Sequence, residues 1–265
     1  NIMNKKWLLA VLTTLVIAVL AACGTADEEK ETAGNEGSTD SKTLVVGTSA
    51  DYAPFEYVDT ATSDEIIGFD IDLIKLVGDK LGYDIQVQNM DFNSLITALQ
   101  ADKFDVVISG MTPTEDRDKV VDFSVPYYET EQYLIFDKEK GYETPADVKG
   151  GVVGAQVSSI QEDLAKELGE ANGFKVESRN LIPELIQELK TGRFDAAVIE
   201  NIVSENYLAN NDDLAAFPIE VEEPDYKAIV FQEGSALKAE FDKVIEELTA
   251  DGTIEELKKK WFVVE

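Results

Sequence analysis

Four apolar runs of this chain end in small polar residues. In open α/β sheets such ends, beyond the carboxyl termini of the strands, are where ligands bind. Leu44-Val45-Val46-Gly47 runs into Thr48-Ser49, and the run to Ile108 into Ser109-Gly110. Gly151 to Ala155 leads to Gln156 with Ser158 and Ser159 behind it, and Asp195 to Ile199 leads to Glu200-Asn201. The first two ends belong to one half of the chain and the last two to the other, so halves that face each other would line one cleft. Strands also need polar loops for solubility, so each end alone says little. Thr112-Pro113-Thr114-Glu115 reads as a helix start, with Thr112 as N-cap, Pro113 at N1 and Glu115 at N3. Free N–H groups at such an end attract an anion, and Arg117 in the same turn could clamp a carboxylate with two hydrogen bonds. A plain capped helix with a surface arginine fits these residues equally well. Tyr52 and Phe92 each open a segment after a strand and offer flat walls to a ligand side chain, with cation–π attraction for a positive one. Phe55 reads as core.

Composition narrows the chemistry. The 265 residues include 53 acidic and 23 basic side chains, a net charge of −30 that phosphate backbones would repel, so nucleic acid is not an expected partner. There is no histidine, which removes the commonest general base and metal ligand. A single cysteine excludes an intrachain disulfide and a cysteine metal cluster. No Gly-rich Lys-Ser/Thr phosphate loop is present, and neither a cofactor nor a metal is expected.

The elements that must position these residues follow from periodicity. From Thr43 onward strands and helices alternate, which predicts an α/β fold with helical cover over its sheets. Leu44–Gly47 reads as a buried strand, Asp70 to Leu81 as a helix with Ile71, Ile74, Leu76, Val77 and Leu81 on one side, Tyr83 to Met90 and Phe104 to Ile108 as strands, and Leu95 with Leu99 as part of a helix. An internal echo pairs Leu95-Ile96-x-x-Leu99 and Phe104-Asp105 with Leu185-Ile186-x-x-Leu189 and Phe194-Asp195, and Val45-Val46-Gly47 with Val152-Val153-Gly154. It predicts two similar lobes, although any α/β chain repeats such units. Leu237, Phe241, Val244, Ile245 and Leu248 form a helical stripe, and Thr253 with Glu256 reads as a capping box opening a last helix near Trp261.

The amino-terminal segment carries Lys5 and Lys6, an apolar run from Trp7 to Ala22, and then Cys23-Gly24 after Leu20-Ala21-Ala22. Translation is expected to start at Met3. The segment has the three parts of a secretory signal, and the run is shorter than the ~20 residues of a spanning helix. It resembles the lipobox of bacterial lipoproteins. That resemblance implies removal of residues 1–22 and acylation of Cys23, which would tie the chain to the outer face of the cell membrane. Residues 23–42 hold no large apolar side chain and are expected to be a disordered tether of ~25 Å mean span.

Leu44 to Glu56, Gly68-Phe69-Asp70-Ile71-Asp72-Leu73, Ser109-Gly110-Met111-Thr112-Pro113-Thr114-Glu115-Asp116-Arg117, Asp122-Phe123-Ser124-x-Pro126-Tyr127, Asp251-Gly252-Thr253-Ile254 and Lys260-Trp261-Phe262 together resemble the polar-amino-acid class of bacterial ABC-transporter solute-binding proteins. The resemblance implies a two-lobed periplasmic-binding-protein-like fold, each lobe a sheet flanked by helices with the ligand cleft between them. Lobe one would hold residues 43–129 and 229–265, lobe two residues 132–226, with crossings near Glu129–Gln132 and Tyr226–Ile229. It further implies that Arg117 grips a ligand α-carboxylate, helped by Ser109, Gly110, Thr112 and Ser159, that Glu200 holds the α-ammonium, and that Tyr52 and Phe92 clamp the side chain. Ser159 reads equally as a helix N-cap ahead of Glu162.

The chain departs from the family pattern at Ser49, where members that bind basic amino acids or glutamine often carry an acid; Asp51 is near but displaced. Glu200 stands where the family more often has Asp. Ser49 is still expected at the ligand. The implied partners are a free amino acid and an ABC permease. The walls and the acidic chain favour arginine or lysine, with glutamine and other polar amino acids behind. A monomer is expected. Two rival functions share the fold: a dehydratase-like enzyme using Glu200 as general acid, and a sensory module.

Overall fold

The computed structural model of the protein describes residues 42–221 and 224–262. The expected signal segment 1–22, Cys23 and the tether up to residue 41 lie outside the described residues. The first strand, β1 (Lys42–Thr48), begins at the residue assigned above to the end of the tether. A small antiparallel meander follows, β2 (Asp51–Tyr52), β3 (Glu56–Val58) and β4 (Ile66–Ile67). Helix α1 (Phe69–Leu81) buries Ile71, Ile74 and Val77 as its spacing predicts, with Leu76 and Leu81 half-buried. Then come β5 (Tyr83–Asn89), α2 (Leu95–Gln100), β6 (Val106–Val107), the one-turn α3 (Glu115–Asp118) and β7 (Val121–Phe123).

The chain crosses to a second unit through β8 (Tyr128–Thr130). There β9 (Gln132–Asp137), β10 (Val152–Gln156), α4 (Ile160–Asn172), β11 (Lys175–Arg179), α5 (Ile182–Lys190), β12 (Ala196–Glu200), α6 (Asn201–Leu208) and β13 (Leu214–Pro218) follow in order. The return strand β14 (Asp225–Lys227) pairs antiparallel with β8. The chain ends in β15 (Val230–Gln232), α7 (Leu237–Ala250) and α8 (Thr253–Trp261).

Two five-stranded sheets result, in the orders β5-β1-β6-β15-β7 and β11-β10-β12-β9-β13. In each, the first three strands run parallel and the last two bring antiparallel pairing. The expected two-lobed α/β architecture is therefore present. Aromatic packing of Phe55 on Phe69, Tyr128 and Phe262 ties the end of α8 back to the first meander, and Phe55 is fully buried, as expected. Trp261 Nε1 and Lys260 Nζ both donate to Asp72 of α1, at 2.8 and 2.6 Å.

The internal echo has a physical cause. In each half the repeated Phe-Asp serves the neighbouring strand of the Val-Val-Gly run. Asp105 Oδ2 accepts from Val45 N at 2.8 Å, and Asp195 Oδ2 accepts from Val152 N at 2.9 Å. The rings of Phe104 and Phe194 pack against Gly47 and Gly154, where an added Cβ would come within 2.4 and 2.5 Å of ring carbons. Gly47→Ala and Gly154→Ala are each expected to cost about 1–3 kcal/mol through overpacking, read as lower urea midpoints; unchanged midpoints would refute this packing.

Two expectations about helix starts need correction. The cap of α3 is Thr114, whose Oγ1 accepts from Arg117 N at 3.2 Å, and the helix starts at Glu115. Thr112 cannot cap, because its carbonyl holds the Arg117 side chain and its hydroxyl faces Lys227. Likewise α8 opens from Gly252, in the left-handed region at φ 85°, so Thr253 stands at N1. Asp251 Oδ1 accepts from Thr253 N at 2.9 Å instead. The strand expected over Phe104–Ile108 is a ladder of Val106 and Val107 alone.

Candidate functional site

The ends of β1, β6 and β10 meet at one pocket. Ser49, Tyr52, Phe92, Ser109, Gly110 and Ser159 line it together with Asp51, Glu56, Gln156 and Gln161. Ser49, Ser109 and Gly110 come from the first sheet's strand ends, while Gln156, Ser159 and Gln161 come from the second, so the two halves face one cleft. Ser109 knits the first side: its Oγ accepts from Ser49 N at 2.9 Å and donates to Glu56 Oε1 at 2.8 Å. Gly110 at φ 47° turns its N–H to Asp70 Oδ2 at 2.7 Å, and an added Cβ would lie 3.0 Å from Tyr52. Tyr52 stacks on Phe55 with ring centroids 5.8 Å apart. Ser159 caps α4: its Oγ accepts from Glu162 N at 3.1 Å and donates to Gln156 O at 2.7 Å. Its capping reading is therefore the one the hydrogen bonds show.

Arg117, Thr112 and Glu200 are not among its lining residues: Arg117 lines a neighbouring cavity with Ser158 and Asp163, on the Phe92 side. The Arg117 guanidinium stands 5.5 Å from the centroid of Phe92 and donates to Thr112 O at 2.7 Å and Ser158 O at 2.9 Å. Ser158 sits in the left-handed region at φ 62°, which is uncommon for a non-glycine residue. Among the described residues Arg117 has no carboxylate partner within ion-pair distance. Burial lowers its pKa to about 10, so it stays charged at neutral pH. Asp163, beyond ion-pair distance, offsets part of this lowering. Glu200, wholly buried at the end of β12, lies 2.6 Å through Oε2 from Lys227 Nζ of the return strand. Lys227 also donates to Thr112 Oγ1 at 3.2 Å. The ion pair is close without the alignment of a hydrogen bond, and Glu200 Oε1 has no partner among the described residues.

The sequence sets Asp51 aside as displaced and gives no role to Glu56, which also lines the pocket, or to Asp70 beneath it. Asp51 spans the cleft: Oδ1 accepts from Ser49 Oγ at 2.8 Å, and Oδ2 accepts from Gln156 Nε2 at 3.2 Å and from Ile182 N at 2.8 Å. Burial raises its pKa to about 6. Asp70, fully buried beneath Gly110 and Tyr127, is also raised by burial to about 6. Glu56 is raised well above the ordinary range, first by burial and then by the charge of Asp70. The available signal was an acid directly after each core phenylalanine, in Phe55-Glu56 and Phe69-Asp70. Lys227 had a signal too, a lone charge in the run Tyr226-Lys227-Ala228-Ile229-Val230-Phe231.

The whole fold matches one family model. Residues 44–264 fit the bacterial extracellular solute-binding proteins, family 3. The chain belongs to this family. Among curated relatives in it, the arginine-binding extracellular protein ArtP of Bacillus subtilis is 46% identical over 98% of this chain and 99% of its own length. A solved amino acid ABC transporter substrate-binding protein, AbpA of Streptococcus pneumoniae bound to L-arginine, superposes with a TM-score of 0.78 at 36% identity, covering 83% of this chain and 94% of that one. The arginine-, lysine-, histidine-binding protein ArtJ of Geobacillus stearothermophilus gives 0.75 at 32%, covering 84% and 96%. These relatives are described as binding proteins. No described helix is long and apolar enough to cross a membrane.

Proposed function

We propose that this chain binds extracellular arginine in the cleft between its sheets and delivers it to an ABC permease. The observation that carries this reading is the polarity of the pocket. Its lining presents the carboxyl groups of Asp51 and Glu56 with Tyr52 and Phe92, and beside it, 5.5 Å from the Phe92 ring, stands Arg117, a guanidinium with no carboxylate within ion-pair distance. Such a site asks for a molecule with an anionic head, a flat or slender stem and a cationic tail. Relatives named for arginine support the same choice. Arg117 takes the α-carboxylate, with Ser109, Gly110, Thr112 and Ser159 around it. Glu200 offers Oε1 to the α-ammonium, the two aromatic rings sandwich the stem, and Ser49 orients Asp51 toward the tail. Asp51 thus supplies the acid that Ser49 lacks.

Residues 43–129 with 229–265 form one lobe and 132–226 the other. Cleft opening turns on the β8 and β14 crossings, and ligand selects the closed arrangement. The protein acts as a monomer and turns nothing over. A thermal-shift screen of the full chain against the twenty amino acids checks this: arginine is expected to give the largest rise in melting temperature, with lysine behind it. A larger rise with glutamine than with arginine would refute the arginine assignment.

The lipobox reading belongs to the same proposal. Acyl chains on Cys23 hold the mature protein at the outer membrane face, so Cys23→Ser is expected to move it from the membrane fraction to the medium. Retention of that variant in the membrane fraction would refute a lipid anchor on Cys23.

A further inference from the structure

Glu200 is wholly buried, and a lone carboxylate there would be an uncompensated charge that only a ligand cation could balance. The protein supplies that cation itself. Lys227, 1% exposed on the return strand, places Nζ 2.6 Å from Glu200 Oε2 and 3.2 Å from Thr112 Oγ1. Arg117 is the opposite case: the hydrogen bonds of its guanidinium go to carbonyl oxygens, those of Thr112 and Ser158, and Asp163, the acid whose charge acts on it, lies beyond ion-pair distance. The head of the pocket therefore has its negative charge balanced from within and its positive charge left open. Losing a ligand carboxylate strands Arg117, whereas losing a ligand ammonium leaves the Glu200–Lys227 pair intact. Sites reject an analogue most strongly when the missing group newly strands a buried charge; Glu200 keeps Lys227 on Oε2, and its Oε1 already stands without a partner among the described residues.

Resting on the arginine reading above, we infer that Lys227 is a specificity-determining residue that makes the ligand's α-ammonium dispensable, so that the cleft also takes guanidino acids without an α-amino group. The carboxylate and the cationic tail remain required.

The test is a calorimetric titration of the full chain with arginine, with deaminoarginine (hydrogen in place of the α-amino group) and with agmatine (hydrogen in place of the carboxylate). Deaminoarginine is expected within ~50-fold of arginine, and agmatine weaker than arginine by ~10³-fold or more, the loss that goes with a stranded buried charge. A loss above ~50-fold for deaminoarginine, with arginine binding tightly, would overturn the inference and leave the arginine reading standing. Silence with arginine itself would overturn both. In Lys227→Met the ammonium becomes obligatory, so the gap between arginine and deaminoarginine is expected to widen to ~10³-fold. An unwidened gap in a folded variant overturns the role of Lys227, and if the variant fails to fold the wild-type comparison alone decides.

Discussion

Arg117→Ala is expected to weaken arginine binding by ~10²- to 10³-fold or more, the ~3–5 kcal/mol that follows from removing one partner of a buried charge pair. The geometry explains the size of the effect. Two carbonyls, Thr112 O at 2.7 Å and Ser158 O at 2.9 Å, hold the guanidinium in place from opposite halves of the chain. It is therefore preorganised, and the ligand carboxylate meets a group that has already lost its rotamer freedom. Arg117→Lys is expected to recover only part of the loss, since an ammonium cannot reach two carbonyls and a carboxylate with one fixed fork. Calorimetry reads both variants, and near-normal arginine affinity in Arg117→Ala would remove this residue from the site.

The second large effect is on pH. Asp51 and Asp70 are each raised by burial to about 6, and burial also raises Glu56 well above its ordinary value, so the acids in and beneath the pocket hold protons at mildly acidic pH. A guanidinium tail favours the ionised carboxylates. Arginine should therefore bind with release of protons near pH 6, and its affinity should climb from pH 5 to pH 7.5 by up to tenfold per pH unit for each coupled group.

Stability of the unliganded chain has the opposite sign. A carboxyl group whose folded pKa lies above its unfolded value stabilises below the unfolded pKa, and that contribution is lost as pH rises through the folded value. For Asp70, moving from 3.8 to about 6 amounts to ~3 kcal/mol at neutral pH. The melting temperature without ligand is thus expected to rise as pH falls from 7.5 to 5, while the shift caused by arginine shrinks. Titration in buffers of different ionisation enthalpy measures the proton release directly. Equal heats in all buffers at pH 6, or a pH-independent affinity, would contradict the acid floor, and Asp51→Asn should flatten the slope.

How much of this was legible depended on how far apart in sequence the interacting groups lie. The strands, the main helices and the polar strand ends follow from local periodicity, and Ser49, Ser109, Gly110 and Ser159 duly meet at one pocket. The echo of Phe104-Asp105 in Phe194-Asp195 is visible as pattern, and its cause, a ring on a glycine and a carboxylate on a strand N–H, is a tertiary contact between strands far apart in sequence. Asp51 reaches Ile182 N and Lys227 reaches Glu200 and Thr112 only because the sheets face each other, which no local window encodes. The shift of the cap from Thr112 to Thr114 has the same origin: a tertiary partner claimed the threonine that local rules assign to the cap.

The most direct measurement is isothermal titration of arginine into the full chain at pH 7.5. A single saturable site is expected, one arginine per chain, with a signal that Arg117→Ala abolishes at the same concentrations. Absence of saturable heat from the folded wild-type chain, or an isotherm that Arg117→Ala leaves unchanged, would contradict this.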